Sequence, residues 1–186
     1  MDSRTAPGSR PASERPILSS SHLADGDWAG LSELEFGLIV AGHAFDRWIV
    51  RCMAAAGVPD LTVTDVLVLH HVHHRERAKK LADICFTLNY EDTHVVSYAL
   101  RKLAGLGLVS SEKVGKEALW STTKAGRETV ERYRRVRDRC LLASAADGLG
   151  AAGGSGNVAP GLAELAGILR ALSGLYDQAA RAAASL

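Results

Sequence analysis

The stretch KKLADICFTLNYEDTHVVSYALRKLAGLGLVSSEKVGKEALWSTTKAGR, residues 79–127, decides the fold. Its apolar spacing predicts two short helices, and the second of them covers residues 91–106 and ends at Gly105 and Gly107. The segment VSSEKVGKEALWST then alternates in polarity on both sides of a glycine turn, which predicts a short β-hairpin. Thr123 is placed to cap a following helix.

The predicted helix over residues 91–106 has two different faces. At about 100° per residue, its apolar side carries Val96, Ala99, Leu100 and Leu103. Its opposite side carries His94, Ser97, Tyr98, Arg101 and Lys102. Such hydrogen-bonding, aromatic and cationic groups contact base edges and phosphates in a DNA major groove. An amphipathic helix whose polar side only faces water is the alternative interpretation.

The ends of this helix also have sequence signals. Asn89 is a candidate N-cap, and Glu91 and Asp92 in the first turn stabilise the positive end of the helix dipole. Lys113 and Lys116 lie near the tip of the hairpin, where they could contact backbone phosphate, with exposed lysines that serve solubility as the alternative.

This order of elements is the outline of a winged helix-turn-helix, in which the hairpin is the wing. The predicted fold is mainly α-helical with a small β-hairpin wing, flanked by N- and C-terminal helices that dimerise. The expected division of the chain is a disordered tail over 1–27, a DNA-binding domain with the first dimerisation helix over 30–146, a flexible linker over 147–160 and a last dimerisation helix over 161–186.

Both flanking helices carry apolar residues at alternating steps of three and four. Ser32 and Glu35 form a capping-box pattern for the first helix, which is expected to run to about Ala56. The residues predicted to form the dimer interface are Leu34, Leu38, Phe45, Trp48, Leu165, Leu169, Leu172 and Tyr176. Packing within one chain is the alternative use for these apolar stripes.

Charge is distributed unevenly along the chain. The net charge is only +1, but residues 75–140 hold 15 Lys or Arg against 9 Asp or Glu, while the remainder holds 7 against 12. A basic central region with acidic flanks is typical of a chain in which one region faces phosphate.

No sequence motif indicates an enzyme. There is no HExxH, phosphate-binding loop or nucleophile elbow, so no catalytic residue, cofactor or metal ligand is assigned. Four histidines in HHVHHRER have spacings that could place two imidazoles on one side of a helix, which keeps a metal-responsive regulator as an alternative. Three separated cysteines without CxxC, no apolar signal core and no membrane-length run favour a cytoplasmic protein.

The chain resembles the MarR family of bacterial transcriptional regulators. The residues that carry the likeness are HVVSYALRKL at 94–103, Gly107-Leu108-Val109, and TKAGR at 123–127. The resemblance implies a homodimer that places two recognition helices in successive major grooves of double-stranded DNA, represses transcription, and in many members releases DNA when a small molecule binds. The family's wing usually carries Asp-x-Arg, whereas this hairpin has Gly115-Lys116-Glu117 at its tip, so Lys116 would supply at most a phosphate contact.

These patterns and the resemblance together predict a dimeric, sequence-specific DNA-binding regulator. Ser97, Tyr98 and Arg101 would face base edges, while His94, Lys102, Lys113 and Lys116 would lie on or near phosphate. A winged helix that serves dimerisation or protein contact without binding DNA is the alternative from another functional class.

Overall fold

A computed structural model describes residues 29–142, 145 and 158–186. The chain divides into two units, residues 1–50 and 51–186, and the boundary falls inside the first helix. The predicted disordered tail and most of the predicted linker lie outside the described residues, so the expected division of the chain remains a prediction.

The first helix, α1, runs from Ala29 to Ala55. The predicted start at Ser32 is wrong, because the helix already includes residues 29–31 and Ser32 therefore lies inside it rather than at its cap. The predicted end is confirmed to within one residue. Gly57 follows with a φ of 95°, a conformation that favours glycine and terminates the helix.

The described part of the second unit continues with helices and three strands. In chain order they are α2 (Val63–His73) with a 3₁₀ turn (His74–Glu76), β1 (Lys79–Lys80), α3 (Leu81–Leu88), α4 (Thr93–Gly105), β2 (Val109–Val114), β3 (Glu117–Thr122), α5 (Lys124–Arg137) with a π-helical turn (Asp138–Leu142), and α6 (Val158–Ala183). The predicted helix, hairpin and helix order is confirmed.

A capping box starts α2. The Thr62 hydroxyl accepts a hydrogen bond from the Asp65 backbone N–H at 3.2 Å, and the Asp65 carboxylate accepts one from the Thr62 N–H at 2.8 Å. Each side chain thus satisfies a donor that the first helical turn leaves unpaired.

The three strands form an antiparallel sheet in the order β1-β3-β2. Val114 pairs with Glu117, so the hairpin closes with a two-residue turn at Gly115 and Lys116. Gly115 has a φ of 64°, as a tight hairpin turn of the II′ class requires at its first central residue.

The core of the second unit lies between α2, α3, α4, α5 and the sheet. Its fully buried side chains include Val66, Leu69, Ile84, Leu100 and Leu103. The start of α5 lies so close to the residue before β2 that a Cβ at position 126 would overlap the Leu108 carbonyl oxygen. One face of α4 is therefore packed against apolar side chains of the core, and its opposite face lies outside the core.

Candidate nucleic-acid interface

The apolar face predicted for α4 is buried, whereas Lys102 of the predicted outward face is half-buried and bonds to Asp65. Val96, Ala99, Leu100 and Leu103 are at most 1% exposed. On the other side, His94 and Arg101 are exposed, Ser97 is half-buried, and the Tyr98 side chain is 65% exposed. His94, Tyr98 and Arg101 are therefore accessible to a partner.

The start of α4 differs from the prediction. Asn89 is not its N-cap: it ends α3 in a left-handed conformation with a φ of 56°. Asp92 takes the N-cap position, and its carboxylate accepts a hydrogen bond from the His94 backbone N–H at 2.8 Å. Asparagine tolerates the left-handed conformation better than most residues, which is why it fits the end of α3.

Two polar contacts fix α4 and the turn before it against α2. The Thr64 hydroxyl and the Tyr90 hydroxyl share a hydrogen bond of 2.9 Å. The Lys102 ammonium donates at 2.7 Å to the Asp65 carboxylate and at 2.7 Å to the Asp60 carbonyl oxygen. The Asp65 side chain is only 2% exposed, so Lys102 compensates a buried charge.

The wing carries both signs of charge. Lys113 and Lys116 are exposed at its tip, and Glu112 and Glu117 are exposed close to them. Glu117 forms a 2.6 Å ion pair with Lys80. Among the ion pairs of the described residues, none includes Arg101, Lys113 or Lys116. These three cations are therefore available to an external anion.

The histidine side chains at the end of α2 point in different directions. The His70 ring lies edge-on to Tyr133 of α5, with centroids 4.4 Å apart, and burial lowers the pKa of His70 to about 4. His71 and His74 instead line an open depression with Arg75 and Arg77. In the described part of the chain, no three His, Cys, Asp or Glu side chains come close enough to hold a metal ion.

The cysteines are all free thiols. Cys52 and Cys85 are buried and Cys140 is exposed. Burial raises the pKa of both buried thiols, which disfavours the reactive thiolate.

The flanking helices expose part of their apolar residues. On α1, Phe45 is 51% exposed, while Leu34, Leu38 and Trp48 are half-buried. On α6, Leu165 is 45% and Tyr176 is 39% exposed, while Leu169 and Leu172 are half-buried. None of the helices in the described ranges combines the length and apolarity needed to cross a membrane.

Sequence reasoning missed two residues of this region. The Asp65 contact to Lys102 had a partial signal, because Thr62 and Asp65 have capping-box spacing. Val95 had none. It lies beside the outward face of α4 and is 39% exposed, but its position on the border between the two faces does not reveal whether a neighbour covers it.

Comparison with known proteins supports this architecture. Residues 61–126 match the model of the winged helix DNA-binding domain family. No protein of curated function matches the sequence.

Several solved structures have the same fold. The transcriptional repressor CouR, bound to a 23-mer DNA duplex, superposes with a TM-score of 0.61 at 21% identity, over 78% of this chain and 99% of CouR. NMB1585, a MarR family regulator from Neisseria meningitidis, gives 0.53 at 17% identity over 80% and 97% of the two chains. Apo MarR from E. coli gives 0.54 at 16% identity over 75% and 96%. The chain therefore has the winged-helix fold of MarR regulators, as the sequence predicted.

Proposed function

We propose that the protein is a sequence-specific DNA-binding transcriptional regulator that acts as a homodimer. The observation that carries this proposal is the uncovered outward face of α4, where an aromatic and a cationic side chain stand side by side on a firmly packed helix. A helix supported from behind and polar in front can enter a major groove without rearrangement. In this function the protein has no catalytic activity. It acts in the cytoplasm, because its target is chromosomal DNA.

In the proposed complex, Arg101 forms a bidentate contact to guanine, while Ser97 and Tyr98 face neighbouring base edges. His94 at the start of α4 and Lys113 and Lys116 in the wing contact phosphate. The expected phosphate contact from Lys102 is not kept, because its ammonium group already serves Asp65 and Asp60. Lys102 instead holds α4 in position.

The dimer part of the proposal is supported by apolar surface on both flanking helices. Phe45 on α1 and Leu165 on α6 are about half exposed, which fits apolar residues that a partner chain covers. A second copy that covers them, together with Leu34, Leu38, Trp48, Leu169 and Leu172, would place two α4 helices on one duplex. Such dimers read half-sites about one helical turn apart.

We include a small-molecule effector in the proposal. One feature supports it: His70 Nε2 and His73 Nδ1 are buried and find no hydrogen-bond partner among the described residues. Buried polar atoms of this kind are usually satisfied, so a polar ligand or water next to them would lower the free energy of the folded state.

Binding to a duplex that the protein itself selects tests the DNA contacts. Arg101→Ala should relax sequence preference and cost about 1 to 3 kcal/mol on the selected site. Lys116→Ala should weaken binding to all sequences alike. It should also reduce the slope of log affinity against log salt concentration by about one. An unchanged preference without Arg101 would remove that residue from the readout.

The alternative, a winged helix used for protein contact, gives a different result in the same assay. A DNA-binding regulator loses affinity steeply as salt rises, because each neutralised phosphate releases counterions. Absence of binding to any duplex at low salt would favour the protein-interaction alternative.

A further inference from the structure

An open depression lies beside the outward face of α4. One wall is formed by Val95, Tyr98 and Arg101 of α4, and the other by Thr62 and Thr64 at the start of α2. Asp65, Asp92 and His94 also line it, but most of its surface is formed by carbon atoms. Burying an apolar group against such a surface is favourable, whereas burying a polar group there without a hydrogen-bond partner is costly.

Val95 is the apolar side chain that the core does not use. It is 39% exposed, whereas its neighbour Val96 is completely buried. The packed side of α4 is filled by Val96, Ala99, Leu100 and Leu103, and Val95 does not belong to this buried set. Tyr98, one helical turn further on, is 65% exposed and forms the adjoining part of the wall.

Among the groups that base pairs present in the major groove, the thymine C5-methyl is the apolar one. We infer that Val95, together with the ring of Tyr98, reads a thymine methyl in the target site. This inference rests on the proposed DNA-binding function and adds the identity of one base to it.

The two contacts fall on different base pairs. Val95 and Arg101 are six residues apart, which corresponds to about 9 Å along an α-helix. Base pairs rise by about 3.4 Å along the duplex axis, so the thymine and the guanine that Arg101 contacts lie in different base pairs of the same half-site.

Replacing thymine by deoxyuridine tests the inference, because it removes only the C5-methyl group. In a duplex selected from a random pool, each thymine is replaced in turn and the affinity of the wild-type protein is measured. One replacement per half-site should weaken binding about fourfold, which is the effect of about 0.8 kcal/mol for one buried methylene-sized group. If no replacement changes the affinity, the inference is wrong.

The Val95→Ala variant identifies the contacting residue. It should discriminate between the thymine and the deoxyuridine duplex clearly less than the wild-type protein does, because the Val95 part of the methyl contact is gone and only the Tyr98 ring remains. Val114→Ala is the matched control, since Val114 is an exposed valine on the wing, and it should retain the full sensitivity to deoxyuridine. Equal sensitivity of Val95→Ala and wild-type protein would assign the methyl contact to another residue and overturn the inference.

The outcomes separate this inference from the function on which it rests. Failure to enrich any duplex would contradict DNA binding itself. Enrichment of a specific duplex that tolerates deoxyuridine at every position would leave DNA binding intact and contradict the role of Val95 alone.

Discussion

Arg101 and Lys102 are adjacent cations on α4, yet their surroundings give them different roles. Arg101 is exposed and takes part in no ion pair among the described residues. Lys102 is held by a carboxylate that is only 2% exposed and by the Asp60 carbonyl. Arg101 is thus free to contact DNA in the proposed complex, whereas Lys102 connects α4 to the start of α2.

Lys102→Met should destabilise the protein by about 2 to 3 kcal/mol, because it leaves the Asp65 carboxylate buried without its partner. The partial exposure of Lys102 keeps this below the cost for a fully buried pair. Chemical denaturation measures the effect. Lys124→Met is the control, since Lys124 and Glu128 form a 3.9 Å pair on the surface, and it should cost less than about 0.5 kcal/mol. Equal effects of the two substitutions would contradict the structural role of Lys102.

Stability should fall in mild acid because of His70. Burial lowers the pKa of His70 to about 4, below the 6.5 of an unperturbed imidazole, so the unfolded chain binds a proton that the folded chain does not. The stability that the neutral His70 provides is fully present above about pH 6.5 and is lost as the pH falls toward 4. Between about pH 7.5 and pH 5 the free energy of unfolding should drop by about 2 kcal/mol from this residue.

Urea denaturation at several pH values measures this loss in wild-type protein and in His70→Phe. Phenylalanine keeps a ring against Tyr133 but cannot be protonated, so the pH dependence should become shallower by that amount. His43→Gln replaces an exposed imidazole on α1 and is the control. Its stability should depend on pH in the same way as that of the wild-type protein. A His70→Phe profile that parallels the wild type would show that His70 does not cause the acid sensitivity.

The position of a single residue could be predicted from the sequence when it depends only on neighbours along the chain, and not when it depends on a distant segment. The buried side of α4 followed from its helical period, since Val96 and Leu103 need only their own helix to be placed. The partner of Lys102 did not, because Asp65 is 37 residues away in the chain and the contact exists only after α2 and α4 pack.

Among the secondary-structure elements, capping residues that adjoin a single helix were assigned correctly from the sequence. Capping residues that lie between two helices were not. Thr123 caps α5 as predicted, with its hydroxyl accepting a hydrogen bond from the Gly126 N–H at 3.0 Å. Asn89 and Asp92 are both good caps and lie between two helices, so composition alone did not decide which helix each one serves. The start of α1 was misplaced because a capping-box pattern also occurs inside helices.

At Gly126 the start of α5 approaches the backbone at Leu108, the residue before β2, so closely that there is no room for a Cβ. Gly126→Ala should destabilise the protein by about 2 kcal/mol or more, because the new methyl group meets the Leu108 backbone carbonyl, which cannot move away like a flexible side chain. Thermal unfolding measures the loss. Gly105→Ala at the end of α4 is the control: no atom lies near its Cβ position, so higher helix propensity should make it neutral or slightly stabilising. Tolerance of alanine at position 126 would contradict the close approach of α5 to the Leu108 backbone.

For the whole molecule, the winged-helix order of elements was predictable because each helix and strand has its own pattern in a consecutive segment of the sequence. The assembly was predicted only as apolar stripes, because one sequence does not reveal whether such a stripe meets its own chain or a second copy. The exposure of Phe45 on α1 and of Leu165 on α6 favours the second copy. Operator sequence and effector depend on molecules outside the chain, and so were beyond sequence reasoning.

Selection of duplexes from a random DNA pool by the full-length protein tests the proposed function most directly. We expect enrichment of one sequence with two-fold symmetry, whose half-sites are centred about 10 base pairs apart, because two α4 helices in a dimer would enter successive major grooves. A pool that stays random after repeated rounds, with protein that remains folded throughout, would contradict the assignment of α4 as a DNA-reading helix.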